Sequence, residues 1–385
     1  MTLPQGIDLD QYRTQAKELL KQIRAAEPAA LDRLRQHHPE HATPAAAGSI
    51  RLADTQLVLA HENGFPSWAR FRDYLLFRNA VQALDAGDLP GLEALLDKHP
   101  SLLGYHCRTG EWYAEGYFAG ATLLNHIAGN PIRCPIPPNI LDITRLLLRK
   151  GARDTPPRPN YTIGLLLTSR QASEAGVAVP LIDLLMEAKG TQIDLTSPDT
   201  LDGPLRNQAP ATAEALIRRG ARMRLTHAAA LGRLDLVKRF VLEGAALQTD
   251  ASLIPLSEDP QEAKAEKEQA FIDACRSGQT DIAEFLLEQG VDPSSQGRSG
   301  QTGLHFAAHS GHPATVRMLL AHHVPLEEKN MYGGTVLGQA LWSACNEPQP
   351  DHLPIIESLI AAGAQVAPQW REQIDEMRRH QGKTS

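Results

Sequence analysis

The segment QTGLHFAAHSGH holds three histidines, His305, His309 and His312, and imidazoles at this spacing can bind a metal. His305 and His309 are four residues apart, which places both rings on one face of a helix, as in helical zinc sites. A zinc site needs further ligands, and His322 and His323 follow at the far end of the next helix, too far away to converge. Buried histidines hydrogen-bonded to the protein are commoner than metal ligands. We therefore expect a structural role, with no metal and no cofactor.

Catalytic patterns are also scarce in the sequence. Cys107 follows His106, but adjacent residues of an extended segment point in opposite directions, so this pair cannot act as nucleophile and base. The sequence contains no GxSxG, HExxH or EF-hand pattern. Acidic side chains on the helices are expected to lie on solvated faces. We therefore predict no catalytic residues and no enzymatic activity.

Composition narrows the class of protein further. The chain has 385 residues, of which 42% are hydrophobic and 22% charged, and a formal net charge of -7. This charge disfavours nucleic acid as a partner, because nucleic-acid-binding proteins present a concentrated basic face. The longest apolar runs, about ten residues, are too short to span a membrane. Four dispersed cysteines and an N-terminus without a signal-peptide pattern favour the cytoplasm.

The elements that must position the histidines recur with a fixed period. Gly278 and Gly311 are 33 residues apart, and each is followed eight and nine residues later by a pair of apolar residues. The same step separates Thr302 from Thr335. A repeat of this length with an apolar stripe after each glycine is typical of stacked pairs of short helices.

The repeat resembles the ankyrin repeat, whose unit opens with a T-P-L-H-x-A pattern. The residues that carry the resemblance are Thr302, Leu304, His305, Ala307, Gly311 and His312. Gly303 departs from the pattern, where the family has proline, and so does His323, where glycine commonly caps the second helix. The resemblance implies an all-α ankyrin-repeat solenoid in which His305 and His312 form hydrogen bonds between adjacent turns. It also implies binding to another protein through a concave groove.

About eight repeats of unequal quality are expected, several of them degenerate. They centre on 79–100, 118–152, 161–190, 204–222, 224–246, 268–292, 301–325 and 334–364. Residues 257–269 are predicted to run into a lengthened first helix of the sixth repeat, and 346–352 to separate the helices of the eighth. We predict three domains: residues 1–78 as a small helical N-terminal module, 79–366 as ankyrin repeats, and 367–385 as a C-terminal capping helix and tail.

The N-terminal module does not repeat. Its periodic apolar residues predict four short helices within residues 8–78. The stretch ADTQLVLAHENGFPSWARF resembles the helical leader of a family of bacterial ankyrin proteins, a resemblance that implies no enzymatic activity. Two interpretations stay open: the module caps the first repeat and extends its core, or it is a separate docking domain.

The exposed positions of the first helices and the turn tips supply the candidate partner-binding residues. They are Arg276, Arg298, His309, Tyr332 and Trp342. Aromatic residues together with arginine are the composition of binding hot spots. The alternative for Trp342 is burial under the C-terminal helix or under the residues that separate the helices of the eighth repeat.

A second candidate is the aromatic-rich segment YHCRTGEWYAEGYF, residues 105–118. Trp112, Tyr113 and Tyr117 are its candidate partner-binding residues. The segment either packs into a small local core or forms a loop that binds a partner, with a small ligand as a further alternative.

The sequence therefore predicts a non-enzymatic scaffold that binds another protein, and neither nucleic acid nor a membrane. An inhibitor or immunity-type protein that blocks a partner enzyme would use the same groove and is the alternative function. The scaffold of a repeat protein does not determine its partner, so the sequence does not identify it.

Zinc should leave the thermal stability of the protein unchanged, because His305 and His312 are expected to be hydrogen-bonded within the repeats. The measurement is the melting temperature with zinc, with EDTA and with neither. A large zinc-dependent rise that EDTA reverses would assign the histidines to a metal site instead.

Overall fold

The computed structural model contains two compact units, Met1–Ile193 and Asp194–Ser385. The residues that the structure describes are 8–38, 49–106, 120–129, 135–154, 160–188, 194–244, 247, 250–297 and 299–381. They form helices and no β-strand, with isolated bridges between Met223 and Leu253 and between Gln296 and Thr302. Across these described ranges, no helix has the length and apolar character that a bilayer-spanning segment needs.

The first compact unit consists of short helices around one main apolar core. Its α-helices are α1 (Leu9–Arg24), α2 (Pro28–His37), α3 (Leu52–Glu62), α4 (Trp68–Asp85), α5 (Leu89–Lys98), α6 (Ile140–Arg149), α7 (Tyr161–Thr168), α8 (Arg170–Glu174) and α9 (Ala178–Glu187), with 3₁₀ turns at Pro100–Gly104 and Leu124–Ala128. The buried residues Tyr12, Ala16 and Leu19 of α1 recur at helical spacing, so they bury one face of an amphipathic helix. Phe71 and Phe77 of α4 are fully buried in the main core.

Helix α4 continues from the N-terminal helices into the first pair of short helices. Ser67 caps it by accepting a hydrogen bond from the backbone N–H of Arg70 at 3.2 Å. The helix passes residue 78, where the sequence analysis places a domain boundary, and ends at Asp85. Gly87, with a φ of 70°, then turns the chain into α5. The division into three domains stays a prediction.

A buried asparagine connects successive helices of the first compact unit. Asn125 occupies the place of the motif histidine, three residues after Thr122. Its amide N–H groups donate to Thr162 Oγ1 at 2.8 Å and to Asp154 Oδ1 at 3.1 Å, and its carbonyl accepts from the Thr122 backbone N–H at 2.8 Å. Because the amide is hydrogen-bonded on both sides, the desolvation cost of burying it is offset.

The second compact unit is a row of helix pairs. Its α-helices are α10 (Asp202–Arg206), α11 (Pro210–Arg218), α12 (Leu225–Ala230), α13 (Leu234–Leu242), α14 (Pro260–Arg276), α15 (Thr280–Glu288), α16 (Gly303–His309), α17 (Pro313–Ala321), α18 (Val336–Asn346), α19 (His352–Ala361) and α20 (Arg371–Gln381), with 3₁₀ turns at Pro198–Thr200 and Pro368–Trp370. The first helices α12, α14, α16 and α18 contact one another in order, and the second helices α13, α15, α17 and α19 do the same. This stacking of like helices is what the 33-residue period predicts.

Glycine and histidine together fix the turn between the two helices of a pair. Gly278 has a φ of 70°, a left-handed conformation that glycine adopts at little cost. A Cβ at this position would also lie 2.8 Å from Nδ1 of His312 in the next repeat. The ring N–H of His312 at Nε2 donates to the backbone carbonyl of Arg276 at 2.9 Å. The turn of one repeat is therefore held by the next repeat along the chain.

Two predicted departures from the regular repeat are confirmed. The first helix of the sixth repeat, α14, is lengthened to 17 residues, and Asp259 caps it by accepting two backbone hydrogen bonds. Residues 347–351 separate α18 from α19, within the segment 346–352 predicted for the eighth repeat. The polar helix α20 follows the last pair and buries Ile374.

One buried histidine of the first compact unit stays neutral because of its surroundings. His126 is 1% exposed, lies edge-on to the ring of Phe77, and its Nδ1 donates to the Thr122 carbonyl at 2.6 Å. Burial lowers the pKa of His126 to about 4, although the hydrogen bond to Thr122 acts in the opposite direction.

Acid should therefore destabilise the protein through His126. An unfolded histidine titrates near pH 6.5, so between about pH 6.5 and 4 the unfolded state binds a proton that the folded state excludes. Stability is thus lost as the pH falls through this range. Between pH 7 and pH 5 we expect the wild type to lose about 2 kcal/mol more free energy of unfolding than His126→Gln. Urea denaturation at both pH values measures this, and equal losses would contradict it.

Candidate functional site

A cavity of about 660 Å³ opens among the first helices of the second compact unit. Side chains of α10, α12, α14 and α16 line it, together with the turn residues Gln296, Gly297 and Ser299. Because α14 is lengthened, Glu266 and Glu268 from its N-terminal part contribute to the lining. The charged residues of the lining are Asp202, Arg206, Arg224, His227, Glu266, Glu268, Asp273 and Arg276. We call this cavity the charged groove.

Asp202 accepts hydrogen bonds from three side chains at one side of the charged groove. Its Oδ1 accepts from Nη2 of Arg224 at 2.6 Å and from Nε2 of His227 at 2.8 Å, and its Oδ2 accepts from Nη2 of Arg206 at 2.8 Å. Burial acts to raise the pKa of Asp202, but the hydrogen bonds from His227 and Arg224 hold it below the ordinary value. The carboxylate therefore stays charged and organises the three side chains around it.

The geometry of His227 leaves neither ring nitrogen for catalysis. Nδ1 accepts from the backbone N–H of Arg224 at 3.3 Å, so Nε2 carries the proton and donates it to Asp202. The ring is 2% exposed. Sequence reasoning missed this cluster, although the stretch LTHAAA places His227 at the motif position of its repeat. The cluster joins α10 to α12.

Arg276 lies in the wall of the charged groove with its guanidinium already engaged. Its Nη1 donates to Oδ1 of Asp273 at 2.9 Å, and the group lies 3.9 Å above the ring centroid of Phe306. Burial raises the pKa of Asp273, while the charge of Arg276 lowers it. Burial lowers the pKa of Arg276. The pair is therefore a partly desolvated ion pair that rests on the next repeat.

Large apolar side chains are exposed at the last repeat. Met331, Tyr332 and Trp342 are 68%, 81% and 49% exposed. Among the residues that the structure describes, the other exposed large hydrophobic residue is Leu242. We call Met331, Tyr332 and Trp342 the aromatic edge. The alternative that Trp342 is buried under the C-terminal helix or the 346–352 segment is wrong, since about half of its surface is open.

His309 links the charged groove to the aromatic edge. It lies three residues after Phe306 on α16, which places both side chains on one helix face. Its ring stacks on Trp342 with centroids 6.4 Å apart, and Nδ1 is hydrogen-bonded to the hydroxyl of Ser343. Burial lowers the pKa of His309, although Glu347 raises it, so the ring is neutral near pH 7.

The structure brings together part of the predicted set of binding residues. His309 and Trp342 are in contact, Tyr332 lies in the turn before α18, and Arg276 is committed to internal contacts. The other candidates lie outside the described residues: Arg298, Trp112, Tyr113 and Tyr117. Whether the site residues bind a partner stays a prediction.

The three motif histidines take the positions that packing requires. His305 accepts at Nδ1 from the backbone N–H of Thr302 at 3.2 Å and donates from Nε2 to the Gly334 carbonyl at 3.4 Å. His312 is bonded to the Arg276 carbonyl, as described above. Within the described ranges, no group of three histidine, cysteine, aspartate or glutamate side chains is arranged to hold a metal ion.

Paired helices, left-handed glycine turns and histidines bonded to the next repeat define a helical-repeat protein. The family model for ankyrin repeats matches this chain at residues 225–330 and 271–369, with three copies. A search of curated proteins found no match. The fold class is therefore the all-α ankyrin-repeat solenoid that the sequence predicts, and the match covers α12 to α19. The repeats expected before residue 225 stay a prediction.

Removing the charge of Arg276 should destabilise the protein, because Asp273 would remain partly buried without a cation. For Arg276→Gln we expect the free energy of unfolding to fall by about 1–3 kcal/mol. Asp273→Asn in the same chain should restore part of the loss, since no unpaired charge then remains. Urea denaturation of the two single variants and the double variant measures the coupling. Additive losses would show that the pair does not act as a unit.

Proposed function

We propose that the protein is a non-enzymatic scaffold that binds another protein through the charged groove and aromatic edge of its ankyrin repeats. Ankyrin repeats are a general protein–protein interaction module. The observation that carries the proposal for this chain is the aromatic edge. Three large apolar side chains are exposed in one repeat, whereas other large apolar side chains of the described ranges are buried or half-buried, apart from Leu242.

The aromatic edge has the character of a binding surface. Large exposed apolar side chains favour association with another surface, and tyrosine and tryptophan are enriched among residues that dominate binding energies. The stacking of His309 on Trp342 limits the freedom of the indole before a partner arrives. Less side-chain entropy is then lost on binding.

The groups that most resemble catalytic residues support a non-enzymatic role. Cys275 is fully buried, and burial raises the pKa of its thiol, which disfavours the nucleophilic thiolate. His227 uses both ring nitrogens in structural hydrogen bonds. Both side chains stabilise the repeats, and neither is poised to transfer a proton.

We further propose a cytoplasmic location and a bacterial origin. Cys275 and Cys345 are both free thiols, and Cys345 is exposed, which suits a reducing compartment. The bacterial origin rests on the resemblance of the N-terminal stretch to the leader of bacterial ankyrin proteins.

Removing the aromatic edge should abolish partner capture without unfolding the protein. For the double variant Tyr332→Ala/Trp342→Ala, we expect at least about a tenfold loss of partner recovered from native cells, because two hot-spot side chains are truncated. Affinity capture followed by quantitative mass spectrometry provides the measurement, and circular dichroism confirms folding.

Leu242→Ala is the matched control, because Leu242 is also exposed and apolar but lies on the second helix α13. It should leave capture unchanged. Unchanged capture by the double variant, or an equal loss in the Leu242 control, would remove the aromatic edge from the proposal.

A further inference from the structure

The net negative charge of the protein comes from the second compact unit. Residues 194–385 contain 25 aspartates and glutamates but 18 lysines and arginines, whereas residues 1–193 contain 20 of each. The formal net charge of -7 therefore belongs to the unit that carries the charged groove and the aromatic edge. A negative field of this kind attracts cationic partners and repels nucleic acid and anionic lipid.

Each arginine inside the charged groove is already hydrogen-bonded to a carboxylate of the protein. Arg206 and Arg224 both donate to Asp202, and Arg276 donates to Asp273. These arginines are held by partners on their own surface, so an incoming anion would have to compete with an existing carboxylate. They do not make the groove a site for an acidic partner.

The carboxylates of the lengthened α14 are the charges left for a partner. Glu266 lines the groove, and no cation of the described residues lies within ion-pair distance of it. Burial raises the pKa of Glu266, whereas the backbone of Ser257 and the charge of Arg224, which is bound to Asp202, act to lower it. Glu268 has only the mostly exposed Lys264, at 3.6 Å.

The charged groove and the aromatic edge offer complementary contacts to a peptide segment that carries a cationic and an apolar side chain. The cavity of the charged groove is large enough for a long side chain, and its outward carboxylates match an ammonium or guanidinium group. Trp342 of the aromatic edge offers an apolar contact at the C-terminal end of α16, where its ring stacks on His309. Glu347 lies close enough to His309 to raise its pKa, so the negative charge continues toward that edge.

We infer that the partner presents a basic segment, which places a lysine or arginine side chain against Glu266 and Glu268 and an apolar side chain on the aromatic edge. This inference rests on the proposed function and specifies its partner by chemistry. Glu266 is the residue that sets the preference for a cation, because it is the carboxylate of the groove that has no internal cation of its own.

The test is a titration of the full-length chain with labelled peptides. The probe is a fluorescein-labelled, end-blocked peptide of alternating arginine and leucine. Matched peptides carry glutamine or glutamate in place of arginine, and the readout is fluorescence anisotropy. We expect the arginine peptide to bind at least about tenfold more tightly than the glutamine peptide and the glutamate peptide not to bind.

Variants of the chain test whether the preference for the arginine peptide comes from the charged groove. Glu266→Gln should weaken the arginine peptide about tenfold and leave the glutamine peptide unchanged. Glu268→Gln should act in the same direction. Glu284→Gln is the matched control, because it removes the same charge from the exposed surface of the second helix α15. Thermal unfolding of each variant verifies that it is folded.

The outcomes separate this inference from the proposed function. If the arginine and glutamine peptides bind equally and Trp342→Ala abolishes both, the proposed function stands and the basic partner is wrong. Equal effects of Glu266→Gln and Glu284→Gln would make the preference a property of net charge and overturn the role of the groove. Absence of binding by every peptide, or binding of free arginine amide as tight as that of the peptide, would also overturn the inference.

Discussion

The hydrogen bond from a histidine of one repeat to the backbone of its neighbour is the contact on which the second compact unit depends. His312 reaches the carbonyl of Arg276, and His305 reaches that of Gly334. A single helix pair cannot bury its own apolar face, so its stability comes from adjacent repeats. The ring of His305 must be neutral to accept at Nδ1 and donate from Nε2, and burial lowers the pKa of both His305 and His312. Burial and these hydrogen bonds therefore commit both histidines to the packing of neighbouring repeats.

Some side chains of the charged groove hold the structure together, and others are proposed to bind a partner. Asp202 and Asp273 hold arginines on the protein's own surface, which fixes the walls of the groove and uses up its cations. The lengthened α14 then adds Glu266 without a cation to balance it. Rigid walls with a few unpaired groups suit selective binding, because a partner must supply the missing charge to recover the cost of desolvation.

Much of the fold could be predicted from the sequence, but some of its exceptions could not. The period of 33 residues, the lengthened α14 and the separation of α18 from α19 are local patterns, and all are present. In the sequence, Gly303 stands where the ankyrin pattern has proline. In the structure a Cβ there would lie 2.8 Å from Sγ of Cys275, so the previous repeat excludes a larger residue. The contact between Asp202 and His227 was missed because Asp202 stands in a stretch without a recognisable repeat motif.

Arg276, His309 and Trp342 occupy the same position of three successive repeats, because they are spaced by the 33-residue period. This position shows most clearly what the sequence determines and what only the structure decides. The sequence alone determines that all three point to the same face, because the helical repeat fixes direction locally. Only the tertiary structure decides their exposure, because exposure depends on what the next repeat places against each side chain. Arg276 rests on Phe306, and His309 contacts Ser343 and Trp342. The pair of helices that contains Trp342 is followed by the single helix α20, and the indole is half exposed.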